Sequence, residues 1–480
     1  MTWEFKILRT KSWMLGLLLM TFTGPVAHAV DVLDYVEGER EASVVVADTL
    51  WELAELGYLE EKSSKTLQNY LAEREFIIES SVADIPTAFV ARYGSGGPTI
   101  ALLAEFDALP GLNQAAVPER LVEKQGASGH ACGHHLFGAA SVAAASALAA
   151  WIDATGVEAT IKLVGTPAEE GGSGKVYLAR AGVFDDVDVV LHWHPSDRNS
   201  ASPSTSTANK SGRFTFKGRA AHAASAPHRG RSALDGVEAM NYMVNLMREH
   251  VPQMARIHYV ITDGGDAPNI VPEEAQVYYY VRHPQASQVV TLFERVVKAA
   301  EAAAMGTETE MSFEVMHGNY PVMPNRTLAR LVHDNLVDLG GIKYSTAEQQ
   351  FAQTIQKSFF DGHLPLGSER YIQPYMFRQG MGSTDVGDVS WLVPTVGFTT
   401  ATWVPGTSAH SWQAVAAGGM SIGHKGMHLA TKLLAKTAVD LIQNQQLIAE
   451  ATAELKQSRG FDFRYAALLG DRQPPLDYRR

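Results

Sequence analysis

The sequence predicts an α/β fold: a mostly parallel sheet with helices on both faces, interrupted by an inserted β-α-β-β-α-β (ferredoxin-like) domain. Three observations carry this. Short apolar β-rich runs alternate with helical segments up to about residue 195, the pattern of parallel strands covered on both faces. Ser200–Ser206, a Ser/Thr/Pro/Ala stretch, reads as a linker. Beyond it, strands and helices form a self-contained set of the order β-α-β-β-α-β, and helix and strand resume after Pro324-Asn325.

In chain order, residues 1–29 read as a secretory signal. Lys6, Arg9 and Lys11 precede the apolar run Trp13–Phe22, and Ala27-His28-Ala29 has the small residues of a cleavage site. The run is about ten residues, short for about 30 Å of hydrocarbon, so a retained anchor is the weaker alternative. The expectation is a periplasmic or secreted protein without stable membrane association. Val46, Leu50, Leu53, Leu56 and Leu59 keep helical spacing within an opening helix from about Ala42 to Leu71. Strands follow at Ala88–Tyr93 and Thr99–Ala104, a small-residue helix at about Leu136–Trp151, and strands at Ala159–Gly165 and Asp188–Leu191. In the inserted set the strands are Arg213–Lys217, Ala255–Thr262, Ala275–Val281 and Glu310–Met316, with helices near Ser232–Glu249 and Ala286–Ala304. The expected division is catalytic 30–207 and 325–455, inserted dimerisation or lid domain 208–324, and a polar tail 456–480.

At about 150 residues per domain, 480 residues suit two or three domains. A formal net charge of −12 excludes a general nucleic-acid binder, which needs a basic footprint. Cys132 is the only cysteine, so there is no internal disulfide framework and no four-cysteine zinc module. It is either inert packing or a reactive or ligating thiolate.

The chemistry concentrates where strands end. Gly129-His-Ala-Cys-Gly-His-His135 places three imidazoles and the thiol within six positions, ligand types that a borderline divalent ion accepts. Strand Ala159–Gly165 leads to Glu169-Glu170, which read either as a solvated pair or as a metal ligand beside a general base. The next strand ends in His192-Trp-His194-Pro, whose imidazoles share a face, and His410 follows the turn Val404–Thr407. Each is weak alone; together they point to metal-dependent hydrolysis.

Ala104-Glu-Phe-Asp-Ala-Leu-Pro110, His-Ala-Cys-Gly-His134, Pro-Ala-Glu-Glu170-Gly, Gly218-Arg-Ala-Ala-His222, Pro268-Asn-Ile-Val-Pro272 and His410 occur in one order. Over about Val30–Leu455 the chain resembles the aminoacylase/carboxypeptidase-type dinuclear metallopeptidase (amidohydrolase) family, in the branch of the p-aminobenzoyl-glutamate and indole-acetyl-amino-acid hydrolases. The resemblance implies two divalent metal ions, zinc or manganese, on Cys132, His134, Glu170, His194 and His410, with His192 competing for the His194 role. It implies Glu169 as general base and His222 as an oxyanion donor reaching across a homodimer. The α-carboxylate of an N-acyl amino acid substrate would need a positive or amide-bearing pocket, for which Asn269 and Arg282 are the candidates. Arg219, Arg229 and Arg231 read equally as solvated charge. Asp385, in Gly382-Ser-Thr-Asp385, reads as support for the site or as a helix N-cap. His135 stands where an acid is usual and Glu105 where Asp is usual, which bears on hydrogen bonding around the metals. Two other readings are a cysteine-dependent hydrolase using Cys132 and a catalytically silent periplasmic binding protein for metal or peptide.

Overall fold

The computed structural model describes residues 1–4, 30–360 and 362–479. The apolar run and cleavage site of the export signal lie outside the described residues. The strands, in chain order, begin with β1 (Ile77–Ser80), β2 (Phe89–Ser95), β3 (Thr99–Ala104), β4 (Ala159–Gly165), β5 (Val189–Ser196) and β6 (Ser204–Thr205). They continue with β7 (Ala208–Lys217), β8 (Arg256–Asp263), β9 (Glu274–His283), β10 (Glu310–Asn319), β11 (Arg378–Gln379) and β12 (Thr395–Ala401).

The central sheet has the order β1-β2-β4-β3-β5-β12. The β4, β3, β5 and β12 neighbours are parallel, and β1 and β2 add an antiparallel edge. Ile100 to Ala104 are all fully buried. Because successive strand side chains point to opposite faces, both faces of β3 are covered. Part of the cover is the helix His134–Thr155, buried nearly all round, which packs on β3, β4 and β5 and against the helices Arg40–Leu53 and Ser421–Gln443. Its run of Ala, Gly and Ser lets these backbones approach closely.

The second sheet has the order β10-β7-β9-β8 and is antiparallel throughout. Along β9, Ala275, Val277, Tyr279 and Val281 are buried while the residues between them are half-buried. Alternation of this kind marks a sheet packed on one face. Its helices, Ala233–Met247 and Ala286–Thr307, close a separate hydrophobic core.

Three expectations change. The opening helix is two helices, Arg40–Leu53 and Glu61–Ala72. Ala54 ends the first in a left-handed conformation at φ 40°, while Ser128 holds its carbonyl and Ala108 N–H that of Glu55. Strand β5 does not stop at His192 but runs to Ser196, because β12 pairs with it along that length. The inserted strands Ala208–Lys217 and Glu310–Asn319 are longer than their apolar runs, since pairing with each other extends them. The polar tail packs on the fold: Leu468 and Leu469 are buried and its end reaches the Glu169-Glu170 loop.

Candidate metal centre

Gly133 sets the geometry of the first loop. It caps the helix His134–Thr155 in a left-handed conformation (φ 77°), and a Cβ there would stand 2.6 Å from the Pro195 side chain. Only glycine permits both the turn and the approach to β5. The approach brings Cys132 Sγ to 3.5 Å from His194 Nε2. From the other side, His410 N–H donates to the Ala131 carbonyl at 2.9 Å. His410 itself holds φ 59°, a conformation that a side-chain-bearing residue keeps only where its surroundings over-determine it.

Two groups of ligand atoms result, each with all its atoms within 4.8 Å of one another: Cys132, His134 and His194, and Cys132, Glu170 and His410. They share the thiol. A third group of the same compactness joins Glu105, His134 and Glu169. His134 Nδ1 lies 2.9 Å from Asp107 Oδ1 and 3.1 Å from the Asp107 carbonyl, which directs Nε2 to the cluster. His134 Nε2 and Glu105 Oε2 lie 3.0 Å apart, and His410 Nε2 and Glu170 Oε1 3.1 Å apart. Neither Glu105 Oε2, His134 Nε2 nor Glu170 Oε1 has an aligned hydrogen-bond partner among the described residues, although all are buried. Buried polar atoms are rarely left so, and soft and hard donors converging without partners fit divalent cations.

Of the His-x-His pair, His194 joins the cluster. His192 packs its ring against Gly397 of β12, where no side chain would fit. Burial, the nearby His134 and other groups bring His194 down to about 4, and burial and Lys175 bring His192 down to about 3. His194 is therefore neutral, the form in which imidazole ligates. His135 and His130 turn away, to the carbonyls of Gly418 (3.1 Å) and Leu50 (2.9 Å).

The adjacent glutamates are held differently. Burial, then the charges of Glu105, Glu170 and Asp385, keep the Glu169 carboxyl well above the usual range. Glu170 is largely shielded too, yet His410 and His134 hold it below its usual range. Burial pushes the Cys132 thiol up. Reactive cysteines sit in electropositive, partly exposed surroundings, so thiolate chemistry here calls for a cation beside the sulfur.

Lys175 was not anticipated as part of the site. Fully buried, its Nζ lies 2.7 Å from Glu105 and 2.8 Å from Asp385, and its N–H donates to Asp385 Oδ2 at 2.9 Å. Asp385 thus serves Lys175, and its side chain makes no N-cap hydrogen bond to the helix Val386–Leu392. One signal was available: Glu105 and Asp107 follow the apolar run 100–104, and two buried carboxylates require cations.

The remaining candidates lie elsewhere. His222 is exposed in the second sheet's domain and makes no contact with the Cys132 cluster among the described residues. Asn269, also exposed, lies beside it, its carbonyl accepting from Ala223 N–H at 3.0 Å. Arg282 is near the far end of β9, about 25 Å along the strand, and donates to Ser383 Oγ at 2.9 Å. Within one chain the structure does not bring Asn269 and Arg282 together. Arg219 and Arg231 pair by backbone in the His222 segment, away from the cluster.

Residues 101–365 match the model of peptidase family M20/M25/M40. The chain belongs to this family. It is 38% identical over 453 residues to one of the subunits of p-aminobenzoyl-glutamate hydrolase of Escherichia coli, covering 88% of this chain and 94% of that one. It is 30% identical to Xaa-Arg dipeptidase of Mus musculus, over 88% and 90% of the two chains. Among solved structures, a dinuclear metal-binding peptidase of the M20 family from Bacillus subtilis superposes with a TM-score of 0.58 at 18% identity, covering 85% of this chain and 99% of that one. This M20 chain is a hydrolase acting on amides.

Proposed function

We propose that the chain hydrolyses the amide bond of N-acyl or N-aroyl amino acids, p-aminobenzoyl-glutamate among them, using two divalent ions, zinc or manganese. The observation that carries this reading is the single thiol shared by two compact ligand groups, a donor set that would suit two divalent ions. Cys132, His134, Glu170, His194 and His410 would hold the pair, whose bound ions supply Lewis acidity to the amide carbonyl and to water. Glu169 takes a proton from the attacking water at a carboxylate oxygen and returns it to the leaving nitrogen.

His222, supplied by a second copy of the chain, donates a hydrogen bond to the developing oxyanion. Asn269 travels with it. Arg282 comes from the same chain as the metal ligands, and its buried Nε, unpartnered among the described residues, suits a substrate carboxylate. Pairing of two copies is supported by the edge strand β8, which exposes Tyr259, Val260 and Ile261, a surface that solitary proteins usually blunt. The export-signal pattern of residues 1–29 supports a periplasmic or secreted enzyme, which fractionation of expressing cells tests.

The deciding experiment is a hydrolysis panel on metal-reconstituted protein: p-aminobenzoyl-glutamate, N-acyl amino acids and Xaa-Arg dipeptides. Turnover of the aroyl or acyl substrates, lost on chelation and restored by zinc or manganese, is expected. Turnover that survives exhaustive metal removal would instead favour a Cys132 nucleophile. Two ions bound with no turnover across the panel would favour a binding protein.

A further inference from the structure

The peptide of Glu170 is held on both sides. Its N–H donates to Asp107 Oδ2 at 2.9 Å, the same carboxylate that orients His134. Its carbonyl accepts from the Tyr478 hydroxyl at 3.0 Å and from Arg479 Nη2 at 2.7 Å. Both carbonyl donors come from the last residues of the chain, and among the described residues nothing else donates to that oxygen.

The tail is anchored on the way. Leu468 and Leu469 are buried. Arg180 donates to the carbonyls of Gly470 (2.7 Å) and Arg472 (2.9 Å), and Tyr177 to that of Gln473 (3.3 Å). Both donors belong to the helix Gly174–Arg180, which directly follows the Glu170 loop. Arg472 also pairs with Glu314 at 2.7 Å and donates to the Met316 carbonyl at 3.0 Å, both on β10.

Space is kept for the end of this path. Tyr478 packs edge-on to Tyr58, ring centroids 5.6 Å apart, and a side chain at Gly57 would collide with the Tyr478 hydroxyl. The loop needs external support, since Ala168 and Ser173 hold φ values of 56° and 62°, a conformation disfavoured for residues with a Cβ.

We propose that the C-terminal segment Leu468–Arg479 is a strap, and that Tyr478 and Arg479 are positioning residues that fix the Glu170 peptide for metal binding. The inference rests on the dinuclear reading of the site. Neither residue joins the ligand clusters; they act through Glu170. Contacts made to a ligand from outside the coordination sphere typically change metal affinity 10–100-fold when removed.

The test compares the full chain with its Tyr478→Phe/Arg479→Ala and Arg479→Lys variants. Zinc is titrated into metal-free protein against a competing chelator, and amide hydrogen exchange is followed in the metal-free state. In the double variant, zinc should bind at least about tenfold more weakly and the amides of 170–174 should exchange faster, with the core amides of β3 and β4 unchanged. Arg479→Lys, which keeps a donor, should recover most of the affinity. Parent-like zinc affinity or parent-like exchange at 170–174 in the double variant would overturn the strap. If the parent itself takes up fewer than two zinc ions, the dinuclear reading fails. Exchange then decides the strap alone, faster exchange supporting it and unchanged exchange overturning it.

Discussion

Glu169 and Glu170 are neighbours of identical chemistry separated only by environment. Glu170 faces His134 and His410 and is held as a carboxylate, whereas Glu169, desolvated among acids, is pushed toward proton affinity. A pair of carboxyls driven apart in this way suits the division into ligand and base proposed for it. Replacing Glu169 by Gln should leave zinc stoichiometry intact and lower kcat by about 10²–10⁴-fold. An activity within tenfold of the parent would remove Glu169 as base. Asp388 makes a second residue-scale prediction, away from the cluster. Burial raises its carboxyl to about 7, although Tyr465 Oη and Tyr320 N–H donate to it at 2.8 and 2.9 Å. Between about pH 4 and 7 the unfolded chain loses this proton while the folded chain keeps it. Stability therefore falls as pH rises through that window, by up to about 1.4 kcal/mol per unit. The Asp388→Asn variant should lose this slope in urea unfolding of the metal-free protein; an unchanged slope would locate the titration elsewhere.

At the scale of elements, the centre depends on how one loop meets one strand. Gly133→Ala would add a Cβ at positive φ and 2.6 Å from Pro195, costing about 2–4 kcal/mol. Because Cys132 and His134 flank it, both the thermal midpoint and the zinc affinity should drop, read by calorimetry and chelator competition. Parent-like values for both would show that the loop relaxes freely. Strands were the most legible elements. Thr99–Ala104 and Ala159–Gly165 were expected at the bounds they have, because an apolar run bounded by turn residues is a local signal. The break after Leu53 was not legible, since Ser128 and Ala108, distant in sequence, hold the backbone there. The full length of β5 depended likewise on β12, some 200 residues further on.

At the scale of the molecule, the candidate ligands come from both sides, in sequence, of the second sheet's domain, and His222 lies outside the cluster of its own chain. Mixing His222→Ala with Glu169→Gln subunits should restore part of the activity, because one of the two sites in a mixed pair would hold intact copies of both residues. No restoration, with subunit exchange demonstrated by mass spectrometry, would exclude action in trans. The inventory of the centre was legible in sequence: the thiol, the imidazoles and the paired carboxylates. Lys175 was not, because nothing local distinguishes a lysine that will be buried against Glu105 and Asp385 from one left in solvent. The path of the tail was not legible for the same reason. Its composition is polar, yet its hydroxyl and guanidinium find a carbonyl more than 300 residues away.

By itself the sequence determined which chemical groups were available and which short segments would be strands, because ligand type and hydrophobic period are properties of neighbouring residues. Tertiary structure alone decided that His194 rather than His192 meets the thiol, that Cys132 serves two ligand groups, and that the chain's end grips Glu170. Those outcomes depend on strand order and on a few left-handed turns. Such features bring distant atoms within a few ångströms, and no local pattern encodes that distance.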